Sequence, residues 1–241
     1  MITVKSLSKN YGKKTALSDI NVVFNDGVIT AIMGENGAGK STLLKICAGV
    51  IPMSKGDVII DGYSIRDKPV DAKRNLGYLP EIPDLYDRLT GREFLYYIAS
   101  LRRIKEPERR INELSIMMGI DDALDYELGG YSKGMRQKIS LISSILHDPR
   151  NLLLDEPIYG LDPLASRTIQ DFIDKKQGAT VLATHSTQLV EDIADVVYIL
   201  RKGCIIYSGN VKEIIDEYGS VEDAYFRIKG DESCLKQLST Y

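Results

Sequence analysis

The run Gly34-Glu35-Asn36-Gly37-Ala38-Gly39-Lys40-Ser41-Thr42 has the spacing G-x4-G-K-[ST], a pattern suited to gripping phosphate. Glycines lack a Cβ, so the backbone can curl until several N–H groups converge on anionic oxygens. A helix starting near Lys40 would add its positive N-terminal end. Lys40 is then placed to reach the β- and γ-phosphates of a nucleotide, and the Ser41 hydroxyl to complete a Mg²⁺ shell that otherwise keeps several waters. The competing reading is a glycine-rich turn that merely starts a helix. The strand-like run Val28 to Met33 directly before it favours the phosphate loop.

Two further groups of residues suit the same chemistry. Leu152-Leu153-Leu154-Asp155-Glu156-Pro157 reads as a buried apolar strand ending in adjacent carboxylates. In open parallel sheets ligands sit beyond the carboxyl ends of the strands, where the phosphate loop also lies. There Asp155 could hold Mg²⁺ directly or through water, and Glu156 could accept a proton from a water attacking the γ-phosphate. An acidic turn closed by Pro157 is the plainer alternative. His185 follows the strand-like run Thr180 to Ala183 and should reach the same edge, where an imidazole can donate to the γ-phosphate and position the water. Its alternative is a hydrogen-bonded histidine at a strand end.

Elements must carry these groups. Short β-branched runs at Ile2 to Val4, Ile20 to Phe24, Val28 to Met33, Val58 to Ile60 and Leu76 to Leu79 read as strands. From Leu89 to about Leu146 the texture turns helical, with apolar residues three and four apart such as Phe94, Tyr97, Ile98 and Leu101. Strand-like runs return at Leu152 to Leu154, Thr180 to Ala183, Val196 to Leu200 and Cys204 to Tyr207, with helical segments near Leu164 to Lys175 and Gln188 to Asp192. This alternation indicates an α/β fold with a parallel sheet and an inserted helical subdomain. Val221 to Ile228 has the pattern of a short helix, and Pro107 is placed to start another.

Composition sets the limits. The chain has 241 residues, 44% hydrophobic and 27% charged, with 31 Lys+Arg against 34 Asp+Glu. That is ordinary globular usage, and a chain this long buries a sizeable core unaided. The longest stretch free of Asp, Glu, Lys and Arg is the 14 residues Gln177 to Val190. That is short of the roughly 20 apolar residues a spanning helix needs. Neither a membrane span nor a secretory signal is expected, which places the chain in the cytosol. Cys47, Cys204 and Cys234 are too few and too separated for a disulfide framework and read as free thiols. The near-neutral charge argues against nucleic-acid coating; the basic run Arg102 to Arg110, interrupted by Glu106 and Glu108, reads as a solvated helix face.

Phosphate loop, paired carboxylates and strand-end histidine, in this order around a helical insert, resemble the ATP-binding cassette of ABC transporters. The most specific element is Tyr131-Ser132-Lys133-Gly134-Met135-Arg136-Gln137, at the position of the family's L-S-G-G-Q signature, with Ser132 standing 23 residues before Asp155. The resemblance implies a P-loop NTPase fold with a mixed or parallel sheet core, N-terminal antiparallel strands and an inserted α-helical subdomain. It implies one domain over 1–241, with 1–86 and 150–241 as nucleotide-binding core and 87–149 as helical subdomain. Residue by residue, it implies that Ser132 and Gly134 bind the γ-phosphate held by the opposite subunit's P-loop, that Tyr11 stacks on adenine, and that Asp162 communicates across the dimer. Ser132 as N-cap and Gly134 as a point of close backbone approach suit that task, though a capped helix start needs no more than this. The bland readings of Tyr11 and Asp162 are a partly buried surface tyrosine and a turn residue before proline. Glu81 stands where the family usually has a glutamine that touches Mg²⁺ and senses the permease. A carboxylate ligates Mg²⁺ better than an amide but adds negative charge near the γ-phosphate.

The function implied is ATP hydrolysis by a transporter subunit, with ATP as substrate and Mg²⁺ as cofactor. A second copy or a related cassette would complete a head-to-tail dimer, and a separate integral-membrane permease would hold it at the inner face of the cell membrane. The variant S-K-G-M-R-Q looks like that of cassettes paired with ABC-2 type exporters. The alternatives are a soluble cassette acting on nucleic acid or ribosomes, and a non-catalytic nucleotide-binding regulator. Missing tandem cassettes, coiled coils and zinc modules speak against the first, and Lys40, Asp155, Glu156 and His185 against the second.

Overall fold

A computed structural model describes residues 1–158 and 161–230. Its strands are β1 (Ile2–Tyr11), β2 (Lys14–Phe24), β3 (Ile29–Met33), β4 (Lys55–Ile60), β5 (Tyr63–Ser64), β6 (Leu76–Leu79), β7 (Asn151–Asp155), β8 (Thr180–Ala183), β9 (Val196–Arg201) and β10 (Cys204–Asn210). Its helices are α1 (Lys40–Cys47), α2 (Pro69–Arg74), α3 (Gly91–Arg102), α4 (Pro107–Met117), α5 (Lys133–Ile145), α6 (Pro163–Ile173), α7 (Thr187–Ile193), α8 (Val211–Tyr218) and α9 (Val221–Gly230). They build an antiparallel sheet, order β2-β1-β4-β5, and a larger sheet, order β10-β9-β3-β8-β7-β6. In the larger one β6, β7, β8, β3 and β9 run parallel and only β10 is antiparallel.

The sequence explains these layers. Every residue of β7 and β8 is buried, as central strands of a parallel sheet covered on both faces must be. β1 and β2 instead alternate buried and exposed positions, as an antiparallel pair with one solvated face does. They run longer than the apolar clusters suggested, because bulges interrupt the alternation: Ser6 and Asp19 have φ of 45° and 48°, and the register shifts beside them. β5, α2 and α8 were not foreseen; β5 and α2, of two and six residues, are too short for periodicity to show.

Helices α3, α4 and α5 fall within 87–149. Their apolar faces, including Phe94, Leu95, Ile111, Ile139 and Ile142, pack against Leu79, Leu152, Leu154 and Leu182 of the sheet. α3 opens on a capping box: Thr90 accepts from the Glu93 N–H and Glu93 returns a bond to Thr90 N–H. α4 begins at Pro107 as expected, but the basic run is not one helix face: Arg102 ends α3, Arg103 caps it, and of the two arginines on α4 Arg109 is exposed and pairs with Glu113 at 2.7 Å while Arg110 is half-buried. α9 matches the short helix read at Val221 to Ile228 and packs on β3 and β9. Cys47 and Cys204 are free thiols; Cys234 lies outside the described residues.

Candidate functional site

β8 lies between β3 and β7 in the sheet, so the loops leaving the carboxyl ends of these three strands meet at one edge. β3 delivers the phosphate loop, β7 delivers Asp155 and Glu156, and β8 delivers Thr184 and His185 between them. An open cleft of about 430 Å³ at this edge is lined by Tyr11, Lys14 and Ala16, by the loop residues Glu35 to Gly37 and Gly39 to Thr42, and by Glu81, Asp155 and Glu156.

The phosphate loop takes its shape from its glycines. Gly39 has φ of 115°, and a Cβ there would stand 2.8 Å from the Ala16 carbonyl oxygen. A Cβ on Gly34 would stand 2.3 Å from the Leu200 carbonyl oxygen. Gly39 is also the N-cap of α1, which starts at Lys40, so that helix end faces the cleft. Ala38 holds the loop from behind, its carbonyl accepting from Gly203 N–H at 2.9 Å. Lys40 is buried and folds back over the loop, donating to the carbonyls of Gly34 (2.7 Å) and Glu35 (3.3 Å). Burial pushes its ammonium below the ordinary lysine range, against the opposing pull of Glu156, Asp155 and Glu81.

Asp155 is 1% exposed. Its Oδ1 accepts from the Ser41 hydroxyl at 3.2 Å, while its buried Oδ2 has no hydrogen-bond partner. Desolvation, helped by the charges of Glu81 and Glu156 and opposed by the Ser41 bond, pushes this carboxyl up to about 6. A buried carboxylate with an orphaned oxygen, beside a hydroxyl and a second carboxylate in the same cleft, fits a hard cation. Among the described residues no group of three or more His, Cys, Asp or Glu could hold a metal. Mg²⁺ keeps several waters and takes phosphate oxygens, so a carboxylate or two and a hydroxyl are enough protein ligands for it. Ser41, Asp155 and Glu81 are the residues that would hold it.

Glu156 sits at φ 51°, a conformation that costs energy for a residue with a Cβ. Its backbone N–H donates to the Ala183 carbonyl (2.9 Å), and its carboxylate is gripped at both oxygens. Oε1 lies 2.7 Å from His185 Nδ1, and Oε2 accepts from the Thr184 hydroxyl at 3.1 Å. Sequence reading put His185 toward a phosphate; the structure puts its Nδ1 on Glu156. Thr184 was missed, since a threonine after a buried strand carries no motif of its own.

Tyr11 is half exposed at one end of the cleft, with the Lys9 ammonium 4.9 Å from the centre of its ring. Ser132, Gly134 and Asp162 are not among the residues lining the cleft. Ser132 is the N-cap of α5 and accepts from Met135 N–H, and Lys133 beside it is exposed. Asp162 is the N-cap of α6, accepting from Ala165 N–H at 2.8 Å, and pairs with Lys138 of α5 at 3.4 Å. A helix cap thus replaces the turn considered for it, and it ties α6 to the helix that Ser132 starts. Gly160, two residues before it, lies outside the described residues.

Residues 17–159 match the model of the ABC transporter family. The chain is a member of the ABC transporter family. The ABC transporter ATP-binding protein NatA of Bacillus subtilis is 33% identical over 93% of this chain and 96% of its own. The lantibiotic transport ATP-binding protein SrtF of Streptococcus pyogenes is 31% identical over 90% of this chain and 96% of its own. A solved ATP-binding subunit of an ABC transporter superposes with a TM-score of 0.88 at 31% identity, covering 95% of this chain and 99% of that one. An ATP-binding cassette solved as a dimer with ADP and Pi shares the fold at a TM-score of 0.79 and 22% identity, over 87% of this chain and 98% of that one. As an ABC cassette the chain binds ATP and is an ATPase, and the cleft built on its P-loop is the place that suits that nucleotide. Among the described residues no helix is long and apolar enough to cross a membrane.

Proposed function

We propose that this cassette powers a separate membrane permease, exporting a cargo as two cassettes close head to tail on ATP and part after its hydrolysis. One observation carries the reading: the P-loop cleft and the helix start at Ser132–Gly134, both suited to phosphate, occupy different places in one chain. Pairing two copies, or this chain with a related cassette, would let each helix start meet the other's nucleotide. The dimeric form of the solved cassette with ADP and Pi supports this arrangement. The lantibiotic transport relative and the S-K-G-M-R-Q signature support export.

In this reading the chain is one ATPase domain, residues 1–86 and 150–241 forming the nucleotide-binding core and 87–149 the helical subdomain. Tyr11 stacks on the adenine. Lys40 leaves the loop carbonyls for the β- and γ-phosphates, whose charge the N–H groups of Gly34 to Thr42 share. Ser41, Asp155 and Glu81 would hold Mg²⁺, which when bound would neutralise charge on the phosphates. Glu156 accepts the proton of the attacking water while His185 holds the carboxylate in place and faces the γ-phosphate. Asp162 reports across the dimer. The permease docks beside Glu81 and the helical segment, where Ile82, Tyr86 and Leu101 expose apolar surface. That docking would hold the cassette on the cytoplasmic face of the membrane.

Glu156→Gln tests the sandwich and the base together. The variant should bind ATP, hydrolyse it at least about a hundred-fold more slowly, and elute as an ATP-dependent dimer in size-exclusion chromatography. A strictly monomeric variant in saturating ATP would remove the main support for the model.

A further inference from the structure

Thr184 stands between the two groups that the proposed chemistry uses. It is 1% exposed, and it follows β8 at the point where that strand lies between the P-loop strand and the carboxylate strand. Its backbone N–H donates to the Ile32 carbonyl (3.2 Å), which ties it to β3. Its hydroxyl oxygen accepts the Ser186 N–H at 3.1 Å. With that lone pair used, the hydroxyl proton is directed to Glu156 Oε2, also 3.1 Å away. An ionised carboxylate only accepts, so the direction of this bond is fixed. His185 Nδ1 occupies the other oxygen at 2.7 Å. The Glu156 side chain is therefore pinned at both ends of its carboxylate, although its own backbone is in a strained conformation that offers no such guidance.

We propose that Thr184 is a positioning residue that aims the Glu156 carboxylate at the attacking water, with His185 as the second clamp. The proposal rests on the reading of Glu156 as the base. Two clamps of different chemistry divide the work: the exposed imidazole meets whatever enters the interface, whereas the hydroxyl is buried in the core. A base held in one rotamer meets its water without searching, and a misplaced base loses rate with no loss of nucleotide affinity.

The test compares Thr184→Val, Thr184→Ser and Glu156→Gln, with ATP turnover and the affinity for a fluorescent ATP analogue measured on the full chain. Thr184→Val should lower kcat about ten-fold, the scale of one lost hydrogen bond, with KM and analogue affinity within about two-fold. Thr184→Ser should restore the wild-type rate. In the Glu156→Gln background Thr184→Val should change nothing further, since there is no base left to aim. Thr184→Ala gives the same comparison should the valine variant be unstable. A Thr184→Val kcat within two-fold of wild type, beside an inactive Glu156→Gln, overturns the proposal and leaves the base intact. So does an equal loss from Thr184→Val in both backgrounds. Wild-type turnover by Glu156→Gln instead overturns the reading of the base and the proposal with it.

Discussion

The carboxyl edge of the central sheet and the start of α5 are the two places proposed to meet phosphate, and they are built differently. At the sheet edge three strands converge, and Lys40, Asp155, Glu156 and Thr184 are buried or nearly so and bonded to one another or to the loop. At α5 a single helix end is capped by Ser132 alone, with Ser132 and Lys133 exposed. The first region is organised before any ligand arrives; the second offers N–H groups to something the chain itself does not bring. In the proposed sandwich the first region binds the nucleotide and the second completes the site of the other copy.

The largest effect should come from breaking the organised region. Lys40→Ala removes the ammonium of the phosphate loop, on which the charges of Glu156, Asp155 and Glu81 act. ATP turnover should fall about a thousand-fold, and analogue affinity should fall with it, as phosphate release and fluorescence titration would show. Gly134→Asp probes the other region. An acidic residue in the first turn of α5 suits the helix dipole and should not unfold it. It would nevertheless repel a γ-phosphate brought by a second copy, so turnover should drop about a hundred-fold while the single chain's affinity stays within two-fold. Equal loss of affinity in Gly134→Asp would erase the contrast between the two regions.

Legibility in the sequence followed the same contrast. The P-loop, the Leu152–Glu156 strand and His185 were readable because buried strands are continuous apolar runs and the chemistry follows them directly. The start of α5 was readable as a phosphate contact only through resemblance, because a serine cap marks many helices that bind nothing. Thr184 was illegible: its role depends on β8 lying between β3 and β7, and strand order is not written locally. Lys9 beside the Tyr11 ring was missed for a similar reason, since two residues two apart on a strand share a face only once the strand is known. β1 and β2 were underestimated because their bulges break the alternation that would have extended them.

His147 lies away from both regions, where the chain leaving α5 returns to the start of β6, and gives the fold a pH dependence. Its Nε2 lies 3.1 Å from the Leu76 carbonyl and its Nδ1 is buried without a partner. Burial first, then the charges of Arg102 and Lys176, against the Leu76 bond and Asp148, push it down to about 4. Its folded value lies below its unfolded one, near 6.5, so the unfolded chain binds the extra proton between them. Its contribution is full above about 6.5 and is lost as pH falls toward 4, a change on the order of 2–3 kcal/mol. Urea unfolding at pH 7 and pH 5 should show that loss in the wild type and a smaller one in His147→Gln, which keeps a donor for Leu76. Identical slopes would mean that His147 does not govern acid stability.

The smallest effect separates the two duties of Ser132. As a cap its hydroxyl satisfies the Met135 N–H at 3.3 Å in an exposed position. Ser132→Ala should therefore cost about 1 kcal/mol and lower Tm by roughly 2–4 °C. As a phosphate donor in trans the same hydroxyl would be missed only in the closed pair. Ser132→Asn resolves the ambiguity, because asparagine caps a helix as well as serine but has a longer, planar amide where the pair would need a short hydroxyl. Calorimetry should find Ser132→Asn as stable as the wild type, while ATP-dependent dimerisation in the Glu156→Gln background is weakened as much as in Ser132→Ala. Full recovery of dimerisation by asparagine would reduce Ser132 to a cap, and the trans contact would then rest on the backbone N–H groups from Lys133 to Met135.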